Sequence, residues 1–167
     1  MPTSPMVLIV MGSDSDLPTM QEAADILSKF GVPFEIRISS AHRCPQKTAD
    51  LASGAAGRGI RVIIAGAGMA AHLAGVIAAD TTLPVIGVPM PGGALNGVDA
   101  LYSTVQMPGG IPVATMAIGK AGAKNAGIFA VQVLALGNPE LSKSLIEYRR
   151  QMAQEVELKD AALQQTS

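Results

Sequence analysis

Two adjacent side chains, His42 and Arg43, are candidates for proton transfer and anion binding. They lie in the loop Ser39–Pro45, which follows an apolar run typical of a strand. Histidine ordinarily titrates closest to neutral pH, so it suits proton shuttling. Arginine can bind phosphate through two parallel hydrogen bonds. The alternative is a loop histidine beside a surface arginine, with no function.

A second candidate is the polar segment GSDSD, residues 12–16, which joins a predicted strand to a predicted helix. Gly12 permits close backbone approach, and the start of a helix favours a phosphate. Ser13 and Ser15 add hydroxyl donors, whereas Asp16 can accept hydrogen bonds from ribose hydroxyls. The same serine and aspartate side chains are equally expected as simple helix caps.

The glycine-rich segment Gly66–His72 matches the loose G-x-G-x-x-A pattern of dinucleotide sites. It follows the third predicted strand rather than the first, and it lacks the usual acidic partner about 20 residues on. We therefore expect the glycines to let a flat ring or a carboxylate lie against backbone amides. His72 is a candidate second acid or base, but we expect a hydrogen-bonded packing role one turn into an apolar helix.

The remaining segments suggest less chemistry. Cys44 is the single cysteine, and we expect it to be structural or incidental rather than a nucleophile. Met107–Gly110 is either a lid over a site or a simple turn. The histidines and the cysteine lack metal-ligand spacing, and no ATP-type phosphate loop is present.

The elements that must position these loops follow from the hydrophobic pattern. Buried apolar runs predict strands, and apolar residues at helical spacing predict helices. The predicted strands are Val7–Met11, Pro33–Ser39, Arg61–Ala65, Leu83–Val88 and Ile111–Met116. The predicted helices run from Leu17 to a break at Gly31, over 45–57, Ala70–Ala79, Val98–Val105 and Lys120–Leu136, and from Glu140 to Leu163. This alternation predicts an α/β fold with a parallel sheet, whose strand ends carry the candidate loops.

The composition indicates one domain with an aliphatic core. The 167 residues are 49% hydrophobic, 3% aromatic and 15% charged, with a net charge of −1. We expect a single domain over 1–167, with a core at 6–136 and a C-terminal helical extension at 139–163. The balanced charge predicts no nucleic acid or membrane partner. The N-terminal stretch lacks the basic region of a secretory signal.

Formal charge is scarce in the middle of the chain. Between Val62 and Gly119 the charged residues are Asp80 and Asp99, which predicts surface buried against other subunits. The uncharged stretch Val62–Ala79 is nearly long enough to cross a membrane, but its glycines divide it into strand, turn and helix.

The motifs, taken in order, resemble one known family. They are GSDSD at 12–16, SAHR at 40–43, VIIAGAG…AAHL at 62–73, LPVIGVP at 83–89, VQMPGGIPVAT at 105–115 and AKNAG at 123–127. Together they closely resemble the N5-carboxyaminoimidazole ribonucleotide mutase family, the class I, bacterial-type aminoimidazole ribonucleotide carboxylases. The resemblance covers roughly residues 7–136.

The resemblance implies a flavodoxin-like three-layer sandwich with a central parallel sheet. It implies a cytoplasmic homo-octamer whose active sites lie at subunit junctions. The implied reaction converts N5-carboxyaminoimidazole ribonucleotide to 4-carboxy-5-aminoimidazole ribonucleotide in purine (IMP) biosynthesis. No metal, ATP or organic cofactor is expected.

The resemblance also implies roles for individual residues. His42 would be the catalytic acid and base. Ser13 and Arg43 would hold the phosphate, with Ser40 supporting the loop, and Asp16 would bind the ribose. The backbone of Ala67 and Gly68, with Leu73, would line the base and carboxylate. Secondary candidates are Gly12, Ser15 and His72.

The chain departs from the family pattern at four places. Cys44 stands where the family usually has Thr, Met69 where Gly is commoner, and Ala74 where Pro is commoner. Gly92-Gly93 replaces a more polar pair. We expect the long Met69 side chain to point away from the site, toward the packed side of the helix.

Two other functions remain open at this point. A class II carboxylase would use free CO2 directly, but those relatives tend to carry Lys after the histidine, so Arg43 favours the mutase. A nucleotide- or flavin-binding module without catalysis is the second alternative.

Overall fold

A five-stranded parallel sheet forms the centre of the chain. The computed structural model describes residues 4–165, so the two ends of the predicted domain, 1–3 and 166–167, lie outside the described residues. The strand order is β2-β1-β3-β4-β5. The strands are β1 Val7–Met11, β2 Phe34–Ile38, β3 Val62–Ala67, β4 Val85–Pro89 and β5 Ala114–Thr115. This order is that of flavodoxin-like folds, which confirms the predicted class.

Helices connect and follow the strands. They are α1 Leu17–Lys29, α2 Pro45–Ser53, α3 Leu73–Ala79, α4 Val98–Val105, α5 Lys120–Ala135 and α6 Pro139–Gln164. Two short 3₁₀ turns add to them, at Asp14–Asp16 and Ala56–Arg58. The predicted apolar strands β1 and β4 are buried at every residue, as expected for a sheet covered on both faces.

Three elements are shorter than the sequence predicts by three residues or more. The helix expected over 45–57 ends at Ser53, before Gly54, and resumes only as a 3₁₀ turn. The strand expected over 111–116 is reduced to two residues, β5, because Pro112 has no backbone N–H for the ladder. The helix expected from Ala70 begins at Leu73.

Helices cover both faces of the sheet. On one face Leu8 and Val10 of β1 join a buried aliphatic cluster with Ala52 of α2 and Ile77 of α3. On the other face α1 and α5 approach so closely that a Cβ on Gly127 would lie 2.9 Å from the carbonyl oxygen of Ala23. The three-layer sandwich is therefore present, with its core built from aliphatic side chains.

The stretch Val62–Ala79, which is nearly long enough to cross a membrane, divides as expected into β3, a loop and α3. Among residues 4–165, no helix has both the length and the apolar character needed to span a bilayer.

The C-terminal part of the chain, which contains α6, forms a compact unit of its own. The boundary between the two units of the chain lies within α5, between Val131 and Gln132. Asn138 caps α6, since its side-chain oxygen accepts the backbone N–H groups of Glu140 and Leu141 at 3.1 and 3.2 Å. The helix lies within one residue of its predicted bounds at both ends.

Candidate active site

A cleft of about 530 Å³ lies at the carboxyl ends of the strands. It opens where the strand order reverses, between β1 and β3, which is where flavodoxin-like folds bind ligands. All eleven residues proposed from the sequence line it. They are Gly12, Ser13, Ser15, Asp16, Ser40, His42, Arg43, Ala67, Gly68, His72 and Leu73.

Backbone hydrogen bonds hold the loops of the cleft together. The N–H of Gly12 donates to the carbonyl of Gly66 at 3.2 Å, which ties the loop after β1 to β3. The N–H of Ser39 donates to the carbonyl of Met11 at 2.9 Å, which ties the loop after β2 to β1. The sheet register thus brings together three loops that are far apart in the sequence.

His42 and His72 form a pair inside the cleft. Nε2 of His42 lies 2.7 Å from Nδ1 of His72, and the rings are nearly perpendicular at 87°. The expectation that His72 packs one turn into a helix is wrong, although the expected hydrogen bond is present. The residue precedes α3, it is exposed, and it faces the cleft because the helix begins only at Leu73.

Arg43 joins two of the loops. Its Nη2 donates to the carbonyl of Gly12 at 3.4 Å, and its Nε donates to Ser40 Oγ at 3.5 Å. Ser40 Oγ also accepts the backbone N–H of Arg43 at 3.3 Å. These long contacts place an exposed guanidinium beside the Gly12–Asp16 loop, where it is free to turn toward an anion.

A hydroxyl and thiol network supports the His42 loop from behind. Cys44 Sγ accepts the N–H of Ser40 at 3.1 Å and lies 3.6 Å from Ser39 Oγ, which itself lies 2.8 Å from Thr48 Oγ1. The hydrogen bond from Ser39, followed by that from the Ser40 backbone, lowers the pKa of the Cys44 thiol below its ordinary 9.0. These contacts fit the structural role expected for Cys44.

The Gly12–Asp16 loop folds as a 3₁₀ turn rather than directly as the start of α1. Ser13 caps this turn, since its Oγ accepts the N–H of Ser15 at 3.3 Å and the hydroxyl of Ser15 at 2.9 Å. Asp16 is the residue that precedes α1, but its side chain does not make the helix-capping hydrogen bond that the sequence suggested. Burial raises the pKa of Asp16 above its ordinary 3.8, against a backbone hydrogen bond with Ser13.

The two sides of the cleft differ in character. The side formed by the loops after β1 and β2 carries the serines, Asp16, His42 and Arg43. The residues from the loops after β3 and β4 are apolar or glycine, apart from His72. Seven further residues line the cleft. Ala41, Met69 and Ala70 lie in loops that the sequence indicated but were not named as site residues, whereas sequence reasoning missed the loop Met90–Gly93 altogether. The Pro-Gly-Gly run after β4 was a signal that could have identified this loop.

The orientation expected for Met69 is wrong. Its side chain is 64% exposed and lines the cleft instead of packing against a helix. The cause is its backbone, which is left-handed with a φ of 55°. By contrast, Met107–Gly110 is not part of this chain's cleft, and the Met107 side chain lies against Gly75 of α3. Within residues 4–165, no group of three or more His, Cys, Asp or Glu side chains is arranged to hold a metal ion.

Comparison with known proteins identifies the family. The family described as AIR carboxylase matches residues 6–155. The chain belongs to the AIR carboxylase family. Among its relatives is the N5-carboxyaminoimidazole ribonucleotide mutase of Thermotoga maritima, 55% identical over 96% of this chain and 93% of that protein. The mutase of Bacillus subtilis is 56% identical over 91% of this chain and 94% of that protein.

Solved structures agree with this assignment to the AIR carboxylase family. The crystal structure of Treponema denticola PurE has a TM-score of 0.85 at 30% identity, covering 95% of this chain and 98% of that one. The crystal structure of a Treponema denticola PurE2 variant has a TM-score of 0.87 at 28% identity, covering 96% and 99%. The fold of the family therefore extends over nearly the whole chain.

Proposed function

We propose that this member of the AIR carboxylase family converts N5-carboxyaminoimidazole ribonucleotide to 4-carboxy-5-aminoimidazole ribonucleotide in purine biosynthesis. The observation that carries the proposal is the cleft at the switch point, where His42 on the polar side meets His72 from the otherwise apolar side. Relatives 55–56% identical to this chain carry the name of this mutase.

The polar side of the cleft suits the ribose phosphate. Arg43 and Ser13 reach it from two different loops and offer charged and neutral donors to the phosphate oxygens, with Ser40 bonded to Arg43. Asp16 offers carboxylate oxygens to the ribose hydroxyls. This anchoring positions the imidazole ring relative to His42.

The apolar side suits the ring and its carboxyl group. Ala67 and Gly68 have little or no side chain there, so that a flat ring can lie close to the backbone, and Leu73 adds an aliphatic surface. A site from which water is excluded also keeps the released CO2 from escaping.

His42 carries the proton in both halves of the reaction. It protonates N5 as the N5–carboxyl bond breaks, so that the bonding electron pair returns to nitrogen and CO2 is released. Carbon C4 then attacks CO2 with its own electron pair, and His42 removes the C4 proton. Atoms and charge balance without an external reactant, and His42 ends as it began.

The assembly and location of the protein belong to the same proposal. The resemblance implies a homo-octamer in the cytoplasm with active sites at subunit junctions. The Met107–Gly110 loop does not line this chain's own cleft, so we propose that it covers the cleft of a neighbouring subunit. The cleft residues His42, Arg43 and Met69 are exposed in the single chain, which supports the proposal that a segment of another subunit covers them.

The direct test is turnover without ATP. Purified protein mixed with N5-carboxyaminoimidazole ribonucleotide is expected to form the C4-carboxylated product, followed by its absorbance. His42→Asn should lower kcat by about 10²–10⁴-fold, because it removes the proton carrier while roughly preserving size. Substrate binding and the circular dichroism spectrum should persist. Normal turnover in His42→Asn would exclude the mechanism, and product formation only from aminoimidazole ribonucleotide at high bicarbonate would indicate a carboxylase.

A further inference from the structure

A buried pair of hydroxyl groups lies beneath the loop that carries His42 and Arg43. Ser39 is 1% exposed and Thr48 is 0% exposed, and their side-chain oxygens are 2.8 Å apart. Ser39 directly follows β2, whereas Thr48 lies in the first turn of α2. The contact therefore joins the two elements between which the loop runs.

The loop itself is one tight turn. The N–H of Cys44 donates to the carbonyl of Ser40 at 2.9 Å, which closes the turn with His42 at its centre. Ser40 Oγ accepts the backbone N–H of Arg43 at 3.3 Å. Because these bonds lie within the turn, they set its shape, and its position on the sheet depends on what holds its two ends.

The hydroxyl of Thr48 serves both ends of the loop. It donates to the carbonyl oxygen of Cys44 at 3.3 Å, and it can accept the hydroxyl proton of Ser39. Ser39 Oγ also lies 3.6 Å from Cys44 Sγ, which is a long and weak contact. Loss of the Thr48 hydroxyl would thus leave Ser39 poorly paired in the interior, where an unpaired polar group is costly.

We propose that Thr48 is a positioning residue for His42 and Arg43, and that it acts through its buried contact with Ser39. The N–H of Ser39 donates to the carbonyl of Met11 at 2.9 Å, which fixes the first end of the loop to β1. Thr48 holds the second end, at the start of α2, against the first. Because both side chains lie on one turn, a shift of the turn moves them together. The consequence for turnover rests on the mutase function proposed above.

The first test observes the histidine rings directly. The chain has two histidines, so tag-free protein labelled with ¹³C-histidine should give two imidazole Cε1 signals in an NMR spectrum. Thr48→Val keeps the shape of the side chain and removes the hydroxyl. Both signals should move, because the rings of His42 and His72 are in contact at 2.7 Å. Thr48→Ser keeps the hydroxyl and should restore the wild-type signals.

Turnover should change in the same order. In Thr48→Val, kcat should fall and KM should rise together, and kcat/KM should be about 10- to 100-fold lower, because a small displacement of positioned groups is costly. Thr48→Ser should stay near the wild type. A role in stability alone would lower the midpoint of urea unfolding and leave the kinetic constants of the folded protein unchanged.

Thr104→Val is the matched control. Thr104 is 3% exposed, and its hydroxyl donates to the carbonyl of Ala100 in its own helix at 2.7 Å. It does not belong to the described residues that line the cleft. Its histidine signals and its kcat/KM should equal those of the wild type.

Variants of Ser39 test whether Thr48 acts through it. The double variant Ser39→Ala/Thr48→Val leaves neither hydroxyl unpaired, so its histidine signals should lie closer to the wild type than those of Thr48→Val. Ser39→Ala alone leaves Thr48 bonded to the Cys44 carbonyl and should move the signals by less. If Thr48→Val does not fold, Ser39→Ala carries the test, and unchanged signals in it would contradict the proposal.

Wild-type histidine signals in Thr48→Val would overturn the proposal, as would equal shifts in Thr104→Val. A double variant no closer to the wild type than Thr48→Val would exclude the action through Ser39. The signals are read without substrate, so they separate this inference from the mutase function, which would fail if the wild-type protein gave no turnover.

Discussion

The ring nitrogens of His42 and His72 lie 2.7 Å apart, so one of them must donate a proton and the other must accept it. His72 thereby orients the ring that we propose as the proton carrier. Because His72 sits at the start of α3 and His42 sits in the loop after β2, any shift of one loop changes the pair. Two neighbouring loops therefore set the position of the proposed proton carrier.

Arg43→Ala should act mainly on substrate binding. Within residues 4–165, the guanidinium donates long hydrogen bonds to the Gly12 carbonyl and to Ser40 Oγ, at 3.4 and 3.5 Å, so its loss should leave the fold intact. A charged hydrogen bond to phosphate contributes about 1.5–3 kcal/mol, which predicts a KM about 10- to 100-fold higher with kcat little changed. Steady-state kinetics give both constants. A large fall in kcat at unchanged KM would contradict the assignment of Arg43 to the phosphate site.

Asp16→Asn should stabilise the protein at neutral pH. Burial raises the pKa of Asp16, so the folded state holds this proton more tightly than the unfolded state and stability falls as pH rises above 3.8. The asparagine carries no such penalty. Urea unfolding should show the variant as the more stable protein at pH 7, with the advantage gone below pH 3.8, where both states are protonated. The same gain at acidic and neutral pH would contradict this assignment.

Helix α1 and helix α5 pack against each other through a glycine. A Cβ on Gly127 would lie 2.9 Å from both the carbonyl oxygen of Ala23 and the Cβ of Ile26. Gly127→Val should therefore force the helices apart and cost about 3 kcal/mol of unfolding free energy, measured by urea denaturation.

A matched control lies in the same helix. Ala121 is exposed in the first turn of α5, so Ala121→Val loses only helix propensity, about 0.5 kcal/mol. Equal losses from the two variants would mean that the α1–α5 contact is loose. Because the Gly12–Asp16 loop leads into α1, a large loss in Gly127→Val should also raise KM.

At the scale of the whole molecule, the notable surface feature is an exposed apolar face on α4. Val98, Tyr102 and Val105 repeat at helical spacing and are 42%, 62% and 47% exposed. The face lies within the charge-poor segment Val62–Gly119, whose composition predicts contact with other subunits. Burial of this face in the proposed octamer would explain why the segment carries so little charge.

The predicted octamer has a measurable mass. Eight chains of 17.1 kDa give about 137 kDa, which sedimentation velocity resolves from smaller species. Tyr102→Glu should lower the mass and Tyr102→Phe should not, because only the glutamate places a charge on the apolar face. An octamer mass that is unchanged in Tyr102→Glu would place α4 outside the subunit interface. A monomeric mass for the wild-type protein would contradict the predicted octamer.

Much of the architecture could be derived from local sequence. The strands β1, β3 and β4 and their order with the helices follow from apolar runs and turn residues, which act over a few positions. The polar loops after β1 and β2 were recognisable for the same reason, since in a parallel sheet such loops share one edge. Every site residue taken from these patterns and from the family motifs lies in the cleft.

Tertiary structure decided the features of the site that require residues far apart in the sequence to come into contact. His42 and His72 are 30 positions apart, and only the sheet order β2-β1-β3 brings their rings together. The left-handed backbone of Met69, which turns its side chain into the cleft, depends on tight turns that no hydrophobic period encodes. Thus the sequence by itself determined which loops carry the candidate site residues, whereas packing and register determined which atoms of those loops meet.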